Sequence, residues 1–141
     1  MPKIQFYFHD KTPALDERKR LKQFIIALFG IEKRELETLS FIFCSDEHLL
    51  GINIEFLKHD FYTDVITFDL STDKSKTLGE AYISVDRVRE NAKKADVSFN
   101  NELHRVIFHA SLHLCGYKDK KNMDIVLMRK KENEYLELYF S

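Results

Sequence analysis

The chain has 141 residues, a formal net charge of −1, 44% hydrophobic and 32% charged residues, and only 4 Gly and 2 Pro. That length suits one domain over residues 1–141, with a single core burying roughly two-thirds of the unfolded surface, and the composition excludes a linker-rich or disordered protein. Near-zero net charge excludes a globally basic nucleic-acid binder, so any such contact must use a local patch.

The two cysteines, Cys44 and Cys115, are too few for a disulfide framework and sit in no CxxC pattern, so both are expected as buried thiols without a disulfide partner. The first residues, MPKIQFYFHD, lack the basic and apolar regions of a secretion signal, and no stretch reaches the ~18 apolar residues of a membrane span. A cytoplasmic protein with no membrane partner is the expectation. With 12 Phe and 6 Tyr, the core should lean on Phe.

In chain order, Ile4, Phe6 and Phe8 alternate with polar or amphipathic neighbours and predict a first strand. Thr12 before Pro13 resembles an N-cap with proline at the first helical position. The stripe Leu21, Phe24, Ile25 and Leu28 then predicts a helix from Pro13 to Phe29. After a charged turn at Glu32 to Glu35, Leu39 to Cys44 reads as a central strand, and Ser45 caps a helix over Asp46 to Phe56 carrying Leu49, Leu50, Ile52 and Phe56. A loop from Lys58 to Tyr62 leads into a strand over Asp64 to Leu70. The polar turn 71–77 and a strand over Leu78 to Val85 complete an expected antiparallel pair.

Asp86 to Ala95 reads as a solvated helix with Val88 and Ala92 inward. Ser98 to Asn101 caps the next, whose stripe Leu103, Val106, Ile107, Ala110 and Leu114 faces the core. The last helix, Asn122 to Phe140, is expected to carry Ile125, Val126, Met128, Tyr135 and Leu138, with the run RKKENE on its charged outer face. Together these predict an α+β fold, a small mixed four-stranded sheet packed with about five helices.

The stretch FHASLHLCGYKD carries the chemistry. His109 and His113 stand four apart, so a helix turns both imidazoles to one side, as in a zincin-like metal helix. Gly116 suits the left-handed end of that helix, which lets Asp119 fold back as a third donor. Three protein ligands and an open position are the pattern of catalytic zinc. Cys115 and Asp124 are competing donors. Cys115 lies ~200° around the helix from His113 and reads as core, and Asp124 reads as a helix-start carboxylate. A metalloprotease of the HExxH kind needs a glutamate after the first His, where this chain has Ala110.

HASLHLCGYKD resembles the signature HGxxHLxGYDH of the YbeY family of bacterial metal-dependent endoribonucleases, matching at His109, His113, Leu114, Gly116 and Tyr117, with Asp119 where the family has its final His and Ala110 where it has Gly. The stretch NIEFLKHDFYTDVITF fits a second family pattern at Asn53, Phe56, Thr63, Asp64, Val65, Thr67 and Phe68, and Leu78, Gly79 and Glu80 fit a third. The family arginine after the aromatic is Leu57 here.

The resemblance implies hydrolysis of single-stranded RNA, a role in ribosomal RNA maturation and ribosome quality control, and zinc or another divalent ion on His109, His113 and Asp119. Lys58, His59 and Lys118 are the candidate cations for substrate phosphate, and Phe61, Tyr62 and Tyr117 the candidate platforms for bases, with Phe61 expected in the core. Lys93, Lys94 and Arg129 to Lys131 read as exposed helix faces. The general base is not identified. The rival reading is a ribosome-associated RNA-binding factor whose metal is structural, favoured by Leu57; a metallopeptidase is the third.

Overall fold

The computed structural model describes residues 1–73 and 75–141; Lys74, within the expected polar turn, lies outside the described residues. The order is β1 (Lys3–Phe8), α1 (Arg18–Ile31), β2 (Glu35–Cys44), α2 (Asp46–Leu57), β3 (Val65–Asp69), β4 (Lys76–Ser84), α3 (Val85–Ala95), α4 (Phe99–Leu114) and α5 (Asn122–Phe140). The four strands form one sheet in the order β1-β2-β4-β3. β1 and β4 both run parallel to β2, and β3 pairs antiparallel to β4, so the sheet is mixed as the sequence predicts.

Alternation along the central strands decides the layers. Leu39, Phe41 and Phe43 of β2 and Ala81 and Ile83 of β4 are buried in the main core, which also takes Leu21, Ile25 and Leu28 of α1 and the stripe of α4. A smaller cluster forms where Leu49 of α2 meets Cys44 and Ile66, flanked by Ile52, Phe68 and Tyr82. α4 is therefore the helix laid along the core, and its C-terminal end is carried to the β3 side of the sheet.

Three expectations are corrected. α1 begins at Arg18 rather than Pro13. Pro13 and Leu15 are both buried, and an i, i+2 pair pointing inward is extended spacing; Glu17 then enters the helix through a left-handed conformation. β2 begins at Glu35, because parallel pairing with β4 continues through Leu36. In α5 the buried residues are Met128, Glu132, Tyr135, Leu136 and Tyr139, while Ile125, Val126 and Leu138 are exposed.

Gly79 is a point of close approach between β4 and the end of α4. A Cβ there would lie 2.9 Å from Leu114 Cδ1 and 3.2 Å from the Phe68 carbonyl oxygen. Gly79→Ala is expected to lower stability by about 1–3 kcal/mol through overpacking, measurable by urea unfolding; a wild-type midpoint would show that Leu114 moves aside freely.

Both cysteines are buried, as expected. Burial, reinforced by Asp10, Asp86 and Asp46, pushes the Cys44 thiol up to about 12. Burial, with Glu32, does the same for Cys115, to about 12, against the opposing charge of Arg34. At pH 8 only about one thiol in ten thousand is then thiolate. Iodoacetamide should leave both unlabelled in the native protein and label both after denaturation; rapid native labelling would contradict their burial.

Candidate metal centre

The site is built on α4. Ser98 caps the helix by accepting a hydrogen bond from the Asn101 amide at 3.0 Å. Leu103, Val106, Ile107, Ala110 and Leu114 are all buried, which fixes the helix rotation and sets His109 at the edge of the core, half-buried, and His113 one turn later, exposed. Their rings are parallel within 3°, with centroids 6.4 Å apart. Gly116, at φ 110, ends the helix; the Gly116 amide donates to the His113 carbonyl at 3.0 Å and the Tyr117 amide to that of Leu112 at 3.1 Å.

That reversal brings the Asp119 Oδ2 to 3.3 Å from His109 Nε2. The turn is tied down by Tyr117, whose hydroxyl donates to Glu32 at 2.7 Å. Tyr135 donates to the other Glu32 oxygen and Lys131 pairs with the same carboxylate at 3.5 Å, so the end of α1, the turn and α5 meet on one anion. Burial opposes the charge on Glu32, but the two phenols and Lys131 outweigh it and hold the carboxyl below its usual range.

His109 has a second partner that sequence reasoning missed. Its Nδ1 donates to Glu132 Oε2 at 2.7 Å, while the other Glu132 oxygen accepts from Arg105 at 3.0 Å. Arg105 also pairs with Glu102 at 3.5 Å, and Arg129 with Glu132 at 3.5 Å. Burial pushes the His109 imidazole down, yet the hydrogen bond and charge of Glu132, joined by Asp64 and Asp119, raise it overall. The Glu132 carboxyl is opposed by burial and lowered on balance by His109 and Arg105. Assigning RKKENE wholly to an outer face is therefore corrected: Glu132 is buried. The signal was available, since Met128, Glu132, Tyr135, Leu136 and Tyr139 follow the i, i+4, i+7, i+8, i+11 spacing of an inward stripe.

His109, His113 and Asp119 line one cavity of about 450 Å³, walled by Thr63, Val65, Ile66 and Thr67 at edge strand β3 and by Asn53, Leu57, His59, Phe61 and Lys120. His109 and Asp119 also line a second cavity of about 270 Å³ with Asp64, Glu102, Arg105, Arg129 and Glu132. Asp124 lines neither cavity. Among the described residues, no three His, Cys, Asp or Glu side chains already close around a common point, and His113 is the exposed member of the three. The donor chemistry nevertheless suits a divalent cation. Two imidazoles and a carboxylate are zinc-competent, the surroundings are rich in carboxylates, and the hydrogen bond of His109 Nδ1 to Glu132 leaves Nε2 as the nitrogen facing Asp119.

The other sequence candidates fare differently. Lys58 turns its Nζ to the Glu55 carbonyl at 3.3 Å, and neither it nor Lys118 lines these cavities; His59 does, and Lys120 joins it. Phe61 is exposed rather than core. Tyr62 donates to Glu47 at 2.8 Å and stacks under Arg87, and Tyr117 is held by Glu32 and Lys131. Of the basic runs, Lys93, Lys94 and Arg129 are exposed as expected, but Lys131 is half-buried against Tyr117.

Known proteins resemble this chain along nearly its whole length. The family model described as endoribonuclease YbeY matches residues 6–139. A protein named endoribonuclease YbeY from Cytophaga hutchinsonii is 44% identical over 135 residues, covering 96% of this chain and 94% of the relative. One of the same name from Porphyromonas gingivalis is 42% identical over 136 residues, covering 96% of this chain and 89% of the relative. The solution structure of TM1509 from Thermotoga maritima superposes with a TM-score of 0.60 at 28% identity, covering 99% of this chain and 89% of that one. The placement of α4, the turn behind it and the edge strand before it, together with these matches along nearly the whole sequence, make this chain a member of the YbeY endoribonuclease family.

Proposed function

We propose that this chain is a metal-dependent endoribonuclease that hydrolyses phosphodiester bonds of single-stranded RNA in the cytoplasm, acting on ribosomal RNA during ribosome maturation and quality control. The observation that carries the metal assignment is His109, with Nε2 facing Asp119 at 3.3 Å and Nδ1 secured by Glu132 at 2.7 Å, in one cavity with His113. His109, His113 and Asp119 hold one divalent ion, and their nitrogen and oxygen donors favour zinc. When bound, such an ion polarises a phosphoryl oxygen and activates water.

The chain's own groups do the rest. Glu132 keeps the His109 ring from turning and fixes which nitrogen is free. Lys120 supplies positive charge and His59 a ring N–H donor, both from the cavity wall, towards the phosphate where the family arginine is replaced by Leu57. Edge strand β3 bounds the cleft, which admits an unpaired strand more readily than a duplex. The peptidase reading is disfavoured because position 110, beside His109, is a fully buried alanine with no proton-carrying group.

Metal-loaded protein incubated with single-stranded RNA should cleave it, and His113→Ala should not. Equal cleavage by both, or none by the wild type, overturns the ribonuclease reading and leaves the RNA-binding factor. No helix among the described residues is long and apolar enough to cross a membrane.

A further inference from the structure

The loop before β3 is more constrained than its exposure suggests. Asn53, only 2% exposed, uses both ends of its residue to hold the loop: its side-chain amide donates to the Phe61 carbonyl at 2.9 Å, and its main-chain carbonyl accepts from the His59 amide at 3.1 Å. Lys58 adopts a left-handed conformation at φ 59 to make the turn. The buried Asn53 thus holds a loop that presents two aromatic rings to solvent. Phe61 is 55% exposed, and His59 lies against it, centroids 5.2 Å apart and planes 21° apart. Both line the cavity that contains His109, His113 and Asp119.

An exposed phenylalanine covered on one side by an imidazole leaves a flat apolar face open at the cavity. We infer that the His59–Phe61 pair is a stacking platform for one unpaired RNA base next to the scissile phosphate, held in place by Asn53. A base has the flat π-face that such a pair can take, and stacking accepts any of the four bases. Tyr62 and Tyr117 do not compete for this role, because their hydroxyls are engaged by Glu47 and Glu32 and cations lie over their rings. The inference takes its ligand from the ribonuclease reading and is tested apart from it.

A fluorescently labelled short single-stranded RNA is titrated with the protein in the presence of chelator, so that no cleavage occurs. Phe61→Leu should bind about tenfold more weakly, the size of one base–aromatic stack, and Phe61→Tyr should bind like the wild type. One abasic position in the RNA should weaken wild-type binding by a similar factor and cost Phe61→Leu nothing further, a coupling that a merely structural role for Phe61 does not produce. Wild-type affinity for Phe61→Leu, additive losses, or no binding by the wild type overturns the platform. Phe61-dependent binding without metal-dependent cleavage keeps the platform and overturns the ribonuclease reading.

Discussion

Glu132→Ala should weaken zinc binding by about 10–100-fold, the range typical of outer-shell groups that orient a metal-binding histidine, although Glu132 is not itself one of the proposed ligands. Two distinct losses follow from the same substitution. The His109 ring loses the acceptor at 2.7 Å that fixes its orientation, and Arg105 keeps Glu102, at 3.5 Å, as a carboxylate partner. Breaking a buried charge pair from one side costs about 3–5 kcal/mol, and the remaining Glu102 contact argues for the lower end. Zinc competition titration reads the first loss and urea unfolding of metal-free protein the second. Unchanged zinc affinity with lowered stability would make Glu132 a structural residue only.

Glu132→Gln separates charge from shape. The Glu132 carboxyl is opposed by burial but held below its ordinary 4.5 by His109 and Arg105. A group with a depressed folded pKa contributes stability above its unfolded value and loses it as pH falls through the folded one. The stability gap between wild type and Glu132→Gln should therefore hold, or widen as His109 protonates, as pH falls from about 7 to about 5, and close only below the ordinary 4.5. A gap that closes near pH 6 would mean that another group carries the charge dependence.

Asp119→Ala should abolish stoichiometric zinc binding, a loss at or beyond the roughly 100-fold upper end of outer-shell effects. Its carboxylate is 40% exposed, so fold stability should change by no more than about 0.5 kcal/mol. Asp119→His, which restores the imidazole of the family signature, should recover zinc and reduce the response to harder ions such as manganese, because nitrogen replaces oxygen in the donor set. Asp124→Ala should leave metal content unchanged, since Asp124 lines neither cavity beside His109. The reverse pattern, with Asp124 required and Asp119 dispensable, would reassign the third ligand.

Much of this site was legible because α4 is locally self-consistent. Its cap, apolar stripe and glycine stop follow spacing rules that need no tertiary information, and they place His109, His113 and the return to Asp119. The strand pairing of β3 with β4 was legible for the same reason. Glu132 was not, because charge type was weighed above position: a glutamate inside an inward stripe becomes tolerable only when Arg105 and His109, from another helix, meet it. The start of α1 was hidden similarly, since Thr12-Pro13 is a good local signal that loses to the burial of Pro13 and Leu15. Phe61 shows the opposite error. An apolar ring suggests core, but the loop set by Asn53 holds it outward.

If His109, His113 and Asp119 share one ion, an anomalous-difference map from crystals grown with equimolar zinc will show it. The predicted map has a single strong peak bounded by Nε2 of His109, the His113 imidazole and the Asp119 carboxylate. No peak, or one held by other residues, would mean that these three side chains do not share an ion.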